Sequence, residues 1–383
     1  MSRNVKRDTS DSRIASLKML DKEYNEMYRK WRIENKNEYG FYYLDRSDEF
    51  TYRDGEGFIT EYPEAAERSA VNAILSIAAK TLIIYTLLNL LATLVFTVSP
   101  LPVLLGVEYN SAGYFSGNET NAIILSYAVN IIIRILPQFY LLSKIKMPIK
   151  LVMPLKVTNK PLFYEAVPMA MFIFGIATIL SGAGVYGAAI LGFDTSHKIW
   201  IPENRTVFIL YSILTILIIP IMSEIVHRGI YMQVFKQFGD GFALIATSIL
   251  AALVTGNVNS MFFTFIYSLI VGYFSVRSGS ILTAMLMRIV ISASTFVLTY
   301  IRFINLPEGV SLTISVAVIL IYLIVGIVSM VIFMKNHSNK INLPLYGMYL
   351  SENERLMCCL VNPSVMMWLA LTILYITLKI GML

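Results

Sequence analysis

The chain has 383 residues, of which 56% are hydrophobic and only 15% charged, a balance that a soluble domain has too little polar surface to cover. The formal charge of +6 is unevenly spread: residues 1–68 hold 13 Lys/Arg against 15 Asp/Glu, a net −2, and the rest of the chain is +8. Basic residues beside apolar spans meet anionic headgroups, and no basic segment interleaved with aromatics offers a base-stacking platform, so the composition excludes a soluble enzyme and a nucleic-acid partner and points to the lipid bilayer.

Residues 1–68 form a polar segment in which charge alternates with aromatics, as in Tyr39-Gly40-Phe41-Tyr42-Tyr43-Leu44-Asp45 and Phe50-Thr51-Tyr52-Arg53-Asp54-Gly55. It lacks the apolar core and small-residue cleavage site of a signal peptide, so no removed secretion signal is expected. Short helix, turns and a hairpin are expected here, as a solvated cap on the membrane domain or as a module for a partner. From 69 to 383 the chain reads as an all-α, polytopic helical membrane domain. A spanning helix needs about 20 mainly apolar residues, and the candidates are 71–98, 121–143, 164–192, 206–237, 242–256, 260–277, 280–301, 311–334 and 364–382, eight or nine helices in all. The fifth is short and is bracketed by turn signals at Gly239-Asp240-Gly241 and Asn257-Val258-Asn259.

Orientation follows from the loop at 144–160, which carries Lys144, Lys146, Lys150, Lys156 and Lys160 and no acidic residue. Positive loops stay inside, which predicts a cell-membrane protein with a cytoplasmic N-terminus and with the loops at 99–120 and 193–205 outside. Lys236, Arg277 and Lys335 then fall on the inner side as well. The two cysteines, Cys358 and Cys359, are adjacent and cannot staple distant segments. Their position suits acylation, but two juxtamembrane thiols without a role is the simpler reading.

An ionisable side chain within lipid costs at least ~2.5–3.5 kcal/mol, so each one needs a partner, a watery cavity or a function. Those inside the candidate spans include Lys80, Arg134 and Arg288, and Ser223, Glu224, His227 and Arg228 cluster in the fourth span. At about 100° per residue, taking Ser223 as zero, His227 falls near 40°, Glu224 near 100° and Arg228 near 140°, on one side of the helix. Glu224 and Arg228 are spaced for an ion pair that reduces their desolvation cost. Such a pair serves helix packing or function equally well. Gly229 lets another helix approach closely.

A Ser223–His227 dyad would still need an oxyanion hole and an orienting acid, and this spacing on one helix is commonly accidental. No metal or cofactor is expected. His227 is the one histidine in the candidate spans, His197 and His337 lying in loops, and one His with one Glu makes a poor zinc site.

Ser223-Glu224-Ile225-Val226-His227-Arg228-Gly229 resembles the first motif of the CPBP family, intramembrane proteases that include type 2 CAAX prenyl endopeptidases and bacteriocin-processing or self-immunity proteins. That motif is Glu-Glu, three residues, Arg, usually then Gly. Leu253-Val254-Thr255-Gly256-Asn257 is similar to the second motif, in which Phe precedes His by four positions and Gly-Asn often follows. Gly272-Tyr273-Phe274-Ser275-Val276-Arg277-Ser278-Gly279-Ser280-Ile281-Leu282 is similar to the stretch before the third motif, His, three residues, Asn. The resemblance covers about residues 205–300.

The resemblance implies a catalytic role for the leading Glu in activating water, with the two His and the Asn holding the substrate carbonyl and the oxyanion. Here those positions read Ser223, Thr255, Arg288 and Ser292, and the Phe of the second motif is Ala251; Glu224, Arg228 and Gly229 survive. Serine is no carboxylate base at neutral pH, and loss of one oxyanion donor alone costs ~10²–10³ in rate. The expectation is therefore a pseudoprotease whose cavity, with His227 and Asn257 as further polar residues, binds a peptide or a prenylated or other lipidated partner, or which acts as a scaffold. One alternative is an active endopeptidase, of CAAX type or for a bacteriocin leader, using Glu224. Another is a small anion or solute transporter drawing on Lys80, Arg134 and Arg288, although neither paired broken helices nor an inverted repeat is evident. A salt bridge between Arg288 and Glu224 is a further expectation. Oligomeric state is left open.

Overall fold

In a computed structural model of the chain, residues 22–33, 51–53, 57–59, 63–109, 115–190, 201–256, 258–304, 306–337 and 349–381 are described. The aromatic run at 39–45 and Asn257 lie outside them. Lipid offers the backbone no hydrogen bonds, so a spanning segment must satisfy its own, and a helix does. That requirement dominates the architecture.

Within the polar N-terminal segment, helix α1 (Lys22–Ile33) and a hairpin of strands β1 (Thr51–Arg53) and β2 (Gly57–Ile59) form, as expected there. Helix α2 (Pro63–Val98) begins well before the apolar stretch. At 36 residues it is about 54 Å long, against a hydrocarbon thickness of about 30 Å, so its first turns stand outside the lipid core. A short helix α3 (Leu101–Leu104) and a hairpin of β3 (Val107–Tyr109) and β4 (Phe115–Gly117) follow, closed by Phe96, Tyr109 and Phe115 in ring contact. Asn118 caps α4 (Glu119–Ile145) by accepting from the Asn121 N–H, which satisfies one orphan donor of its first turn.

The basic loop holds α5 (Ile149–Val152), and α6 (Lys160–Ile190) follows. Helix α7 (Arg205–Phe238) is interrupted by two wide π turns, Leu214–Ile218 and Ile225–Tyr231. Pro220, just after the first, has no N–H to donate back, which favours a break in the regular ladder there. Then come α8 (Asp240–Val254), α9 (Val258–Ser278), α10 (Ile281–Phe303) and α11 (Glu308–His337). Among the described residues seven helices, α2, α4, α6, α7, α9, α10 and α11, are long and apolar enough to cross a membrane. The expected fifth span, α8, has 15 residues, about 22 Å, and is too short to cross upright.

The last expected span is a bent pair, α12 (Glu352–Val361) and α13 (Pro363–Gly381), turned by 64° and making an eighth crossing if taken as one. Asn362 makes the elbow. Standing before Pro363, it is held extended at φ −70°, ψ 120°, where a helix ends. Its Oδ1 accepts from the N–H groups of Ser364 and Val365, capping α13, and its Nδ2 donates to the Asn72 carbonyl at 3.0 Å on α2.

Two apolar cores result. One gathers α2, α4, α5, α7, α8 and Trp368 of α13 with Trp31 of α1; the other gathers α6, α9, α10 and α11. The C-terminal pair is tied to the first core by a buried ion pair. Arg355 Nε donates to Glu67 Oε1 at 2.8 Å, Glu67 Oε2 accepts the N–H groups of Tyr349 and Leu350 at 2.9 Å, and the Arg355 guanidinium also reaches the Leu350 carbonyl. Both side chains are buried, yet each carries several charge-assisted bonds, which is the condition under which a buried pair repays its desolvation.

Glu67→Gln or Arg355→Met is expected to lower unfolding stability in detergent by about 3–5 kcal/mol, because either leaves one buried charge alone. The double variant Glu67→Leu/Arg355→Met should recover part of that loss, read from the unfolding midpoints of the three proteins.

Candidate functional site

The polar cluster seen in the sequence spans the entry to the second π turn of α7, with Ser223 and Glu224 just before it and His227 and Arg228 in it. Ser223, Glu224, His227 and Arg228 are all buried, as are Gly229, Ile230 and Tyr231. A π turn is uncommon in itself and occurs disproportionately at functional sites. It also departs from the regular 100° step on which the helical projection rested. Both four-apart pairs nevertheless form. Arg228 Nε lies 3.7 Å from Glu224 Oε2, and the His227 Nδ1–H donates to the Ser223 carbonyl at 2.8 Å, with the Ser223 hydroxyl 3.4 Å from the same nitrogen. Since a carbonyl only accepts, that bond places the neutral ring's proton on Nδ1. The Ser223–His227 contact thus has its imidazole occupied by backbone, and no third group orients it as a base among the described residues.

Glu224 is held from a second helix. The Tyr267 hydroxyl of α9 donates to Glu224 Oε1 at 2.6 Å. Arg288 of α10 lies over the Tyr267 ring, its guanidinium carbon 4.7 Å from the ring centroid, a cation–π arrangement that gains strength away from water. The expected Glu224–Arg288 ion pair is absent among the described residues; Tyr267 stands between them, touching one with its edge hydroxyl and the other with its face. Arg228 donates through Nη2 to the Ser268 carbonyl at 2.6 Å. The three helices are therefore joined at one point by one carboxylate, one phenol and two guanidiniums.

Space for this cluster comes from two glycines. A Cβ on Gly229 would lie 2.6 Å from the Val152 carbonyl oxygen of α5, so only glycine permits that approach. A Cβ on Gly272 of α9 would run into Leu244 and sit 3.4 Å from Arg228 Nε. Gly272 thereby lets Leu244 of α8 pack against α9 beside the guanidinium. The close approach expected of Gly229 is present, made by the short α5 of the basic loop.

The four positions where the sequence departs from the motif are not all gathered here. Ser223 and Arg288 join the cluster. Ser292, on α10, is partly buried and makes no hydrogen bond among the described residues. The Thr255 hydroxyl is spent on the Ala252 carbonyl at 2.7 Å, closing the end of α8. Lys80 points to the exposed face of α2, away from Arg134 and Arg288. A small cavity of about 10 Å³ adjoins the cluster, lined among others by Arg134, Gln138, His227 and Tyr231; that volume admits about one water molecule. No group of three or more potential metal ligands occurs among the described residues.

Sequence reading missed Tyr267 and the contacts of α1. Tyr267 was hidden in an apolar span, although a buried phenol needs a partner and that need was a signal. Helix α1 docks against α5 and α7: the Tyr24 hydroxyl lies 2.8 Å from the Leu151 carbonyl and 2.9 Å from Gln233 Oε1, Tyr28 donates to the Gln233 carbonyl at 2.7 Å, and the Trp31 indole N–H donates to the Ile145 carbonyl at 2.9 Å. Gln233 in turn donates through Nε2 to the Arg228 carbonyl at 3.1 Å.

Residues 205–294, about a quarter of the chain, match a family model described as type II CAAX prenyl endopeptidase Rce1-like. The match falls on α7 to α10, where the motif resemblance was read, and it bears that resemblance out. No curated protein and no solved structure matches the chain.

Tyr267→Phe removes the donor to a buried carboxylate oxygen and is expected to lower stability by about 1–3 kcal/mol. Phe262→Tyr, at an exposed position on the same helix, is the control and should change the unfolding midpoint little.

Proposed function

We propose that this chain, a multi-pass membrane protein with a CAAX-protease-like core, keeps the packing framework of that core without its peptidase chemistry and serves as a scaffold for a peptide or lipidated partner in the cell membrane, with its N-terminus in the cytoplasm. One observation carries the reading: the surviving acid, Glu224, is buried, with Oε1 accepting from the Tyr267 hydroxyl and Oε2 facing the Arg228 guanidinium at 3.7 Å without a hydrogen bond. A general base must lie within hydrogen-bond reach of the water it deprotonates, and a carboxylate beside a guanidinium is a weakened base. Here the leading position is Ser223, and freeing Glu224 would cost a buried charge-assisted hydrogen bond.

The oxyanion positions support the same reading. Ser292 and Thr255 offer at most hydroxyls, the second already bonded to Ala252, and Arg288 is stacked on Tyr267. The cavity beside His227 holds about one water molecule and no peptide. A partner is then bound on a helix surface, and the scaffold reading is favoured over a cavity that swallows a segment of chain.

Purified protein in lipid nanodiscs is expected to release no product from a farnesylated CAAX peptide or from a double-glycine leader peptide, followed by mass spectrometry. Cleavage that is abolished in Glu224→Gln would overturn the proposal and make Glu224 the catalytic base. Ser223→Glu supplies the missing carboxylate; on the proposal it also gives no product, because the histidine and asparagine positions remain replaced.

A further inference from the structure

Formal charge does not balance inside the helix bundle. Arg134 of α4 lies within electrostatic reach of Arg288 and Glu224, and His227 lies within reach of Arg134, Arg228 and Arg288. A guanidinium keeps its proton under all physiological conditions. Three positive charges therefore share one carboxylate, and that carboxylate is taken by Arg228 and Tyr267. Arg288 has the Tyr267 face. Arg134 has no ion pair among the described residues, and its Nε is buried without a hydrogen-bond partner.

The cavity of about 10 Å³ lies at this unpaired charge, with Tyr85, Arg134, Gln138, His227 and Tyr231 supplying its polar lining. Two of these side chains are almost fully buried, Tyr231 at 1% and Gln138 at 4% exposure, and they lie within hydrogen-bonding reach of each other. The Arg134 Nε–H on this cavity is a buried donor without an acceptor, and such a group in a native fold calls for a bound species.

We propose that this cavity is an anion site that takes one halide-sized monovalent ion, chloride, between α4 and α7. Charge selects it, and size bars larger anions. Phosphate or a peptide carboxylate exceeds the volume. Water fits the volume and can satisfy the hydrogen bonds, but it leaves the excess positive charge uncompensated in a low-dielectric region, where that charge is costly. A chloride held by the Arg134 guanidinium offsets it. Lys80, on the exposed face of α2, takes no part. The ion is a resident structural counter-charge, and its presence does not depend on whether the protein cleaves peptides.

The test is thermal unfolding of the full chain in nanodiscs, with sodium chloride replacing sodium gluconate at constant ionic strength. The expected result is a saturable rise of the midpoint, by about 3–6 °C at a large excess of chloride over its Kd. Arg134→Met should flatten that dependence, and Arg134→Lys should retain it. Should Arg134→Met fail to fold, bromide-soaked crystals of the unaltered protein give the second reading, an anomalous peak between Arg134 and Tyr231. Superimposable midpoints in chloride and gluconate, or a bromide map without that peak, would mean that the cavity holds water only and would overturn the proposal.

Discussion

A carboxylate shared among guanidiniums in a medium that solvates neither is the constraint on which the membrane core turns. Taking each ion out of water costs several kcal/mol even after relaxation, so the helices that supply these groups cannot separate without exposing charge to lipid. Glu224 sits at the centre of that constraint. Its Oε1 accepts from Tyr267 of α9, its Oε2 faces Arg228 of its own helix at 3.7 Å, Arg228 reaches on to the Ser268 carbonyl, and Arg288 closes over Tyr267 from α10. The glycines at 229 and 272 serve the same close packing, since a methyl group would press on the Val152 carbonyl at the first and on the Leu244 side chain at the second.

The same interactions explain why part of a protease motif can persist where the chemistry is proposed to have gone. Glu224, Arg228 and Gly229 are held by packing: each one contacts a neighbouring helix, and loss of any one leaves either a buried charge or a clash. Ser223, Thr255 and Ser292 carry no comparable structural burden. Their hydroxyls are spent on local contacts or left unpaired, and small polar residues fit in a span at little cost once a backbone carbonyl is near. A site can therefore lose its acid–base groups position by position, while the ion-paired framework around it stays under stability constraint.

How much was legible in the sequence follows from which interactions are local. Spans were readable because twenty apolar residues in a row have one stable outcome in lipid, and the Glu224–Arg228 pair because both partners lie on one helix. The short α8 was flagged by its length and its flanking turns. What escaped was contact across the bundle. Tyr267 lies 43 residues from Glu224, and nothing in periodicity joins them. The regular helical projection also could not anticipate the π turn at Ile225–Tyr231, because wider turns arise from tertiary packing and from breaks such as that preceding Pro220. In the second motif, Thr255 and Asn257 are candidate site residues only through the resemblance to the family motif. Thr255 instead ends α8, and Asn257 lies outside the described residues.

The N-terminal segment shows how a polar region can belong energetically to a membrane core. Helix α1 places Tyr24, Tyr28 and Trp31 at three- and four-residue spacing, so all three rings lie along one face. That face meets carbonyl groups at a helix end, at a short loop helix and on α7 just past its second π turn, near its C-terminal end. Gln233 links the two levels, accepting or lying close to both tyrosine hydroxyls through its own oxygens while its amide holds the Arg228 carbonyl. A displacement of α1 would strip partners from a buried glutamine one bond away from the charged cluster. The aromatic content of a charged segment is thus explained by the unsatisfied backbone of the helix ends it covers, which is a physical reason for α1 to stay docked.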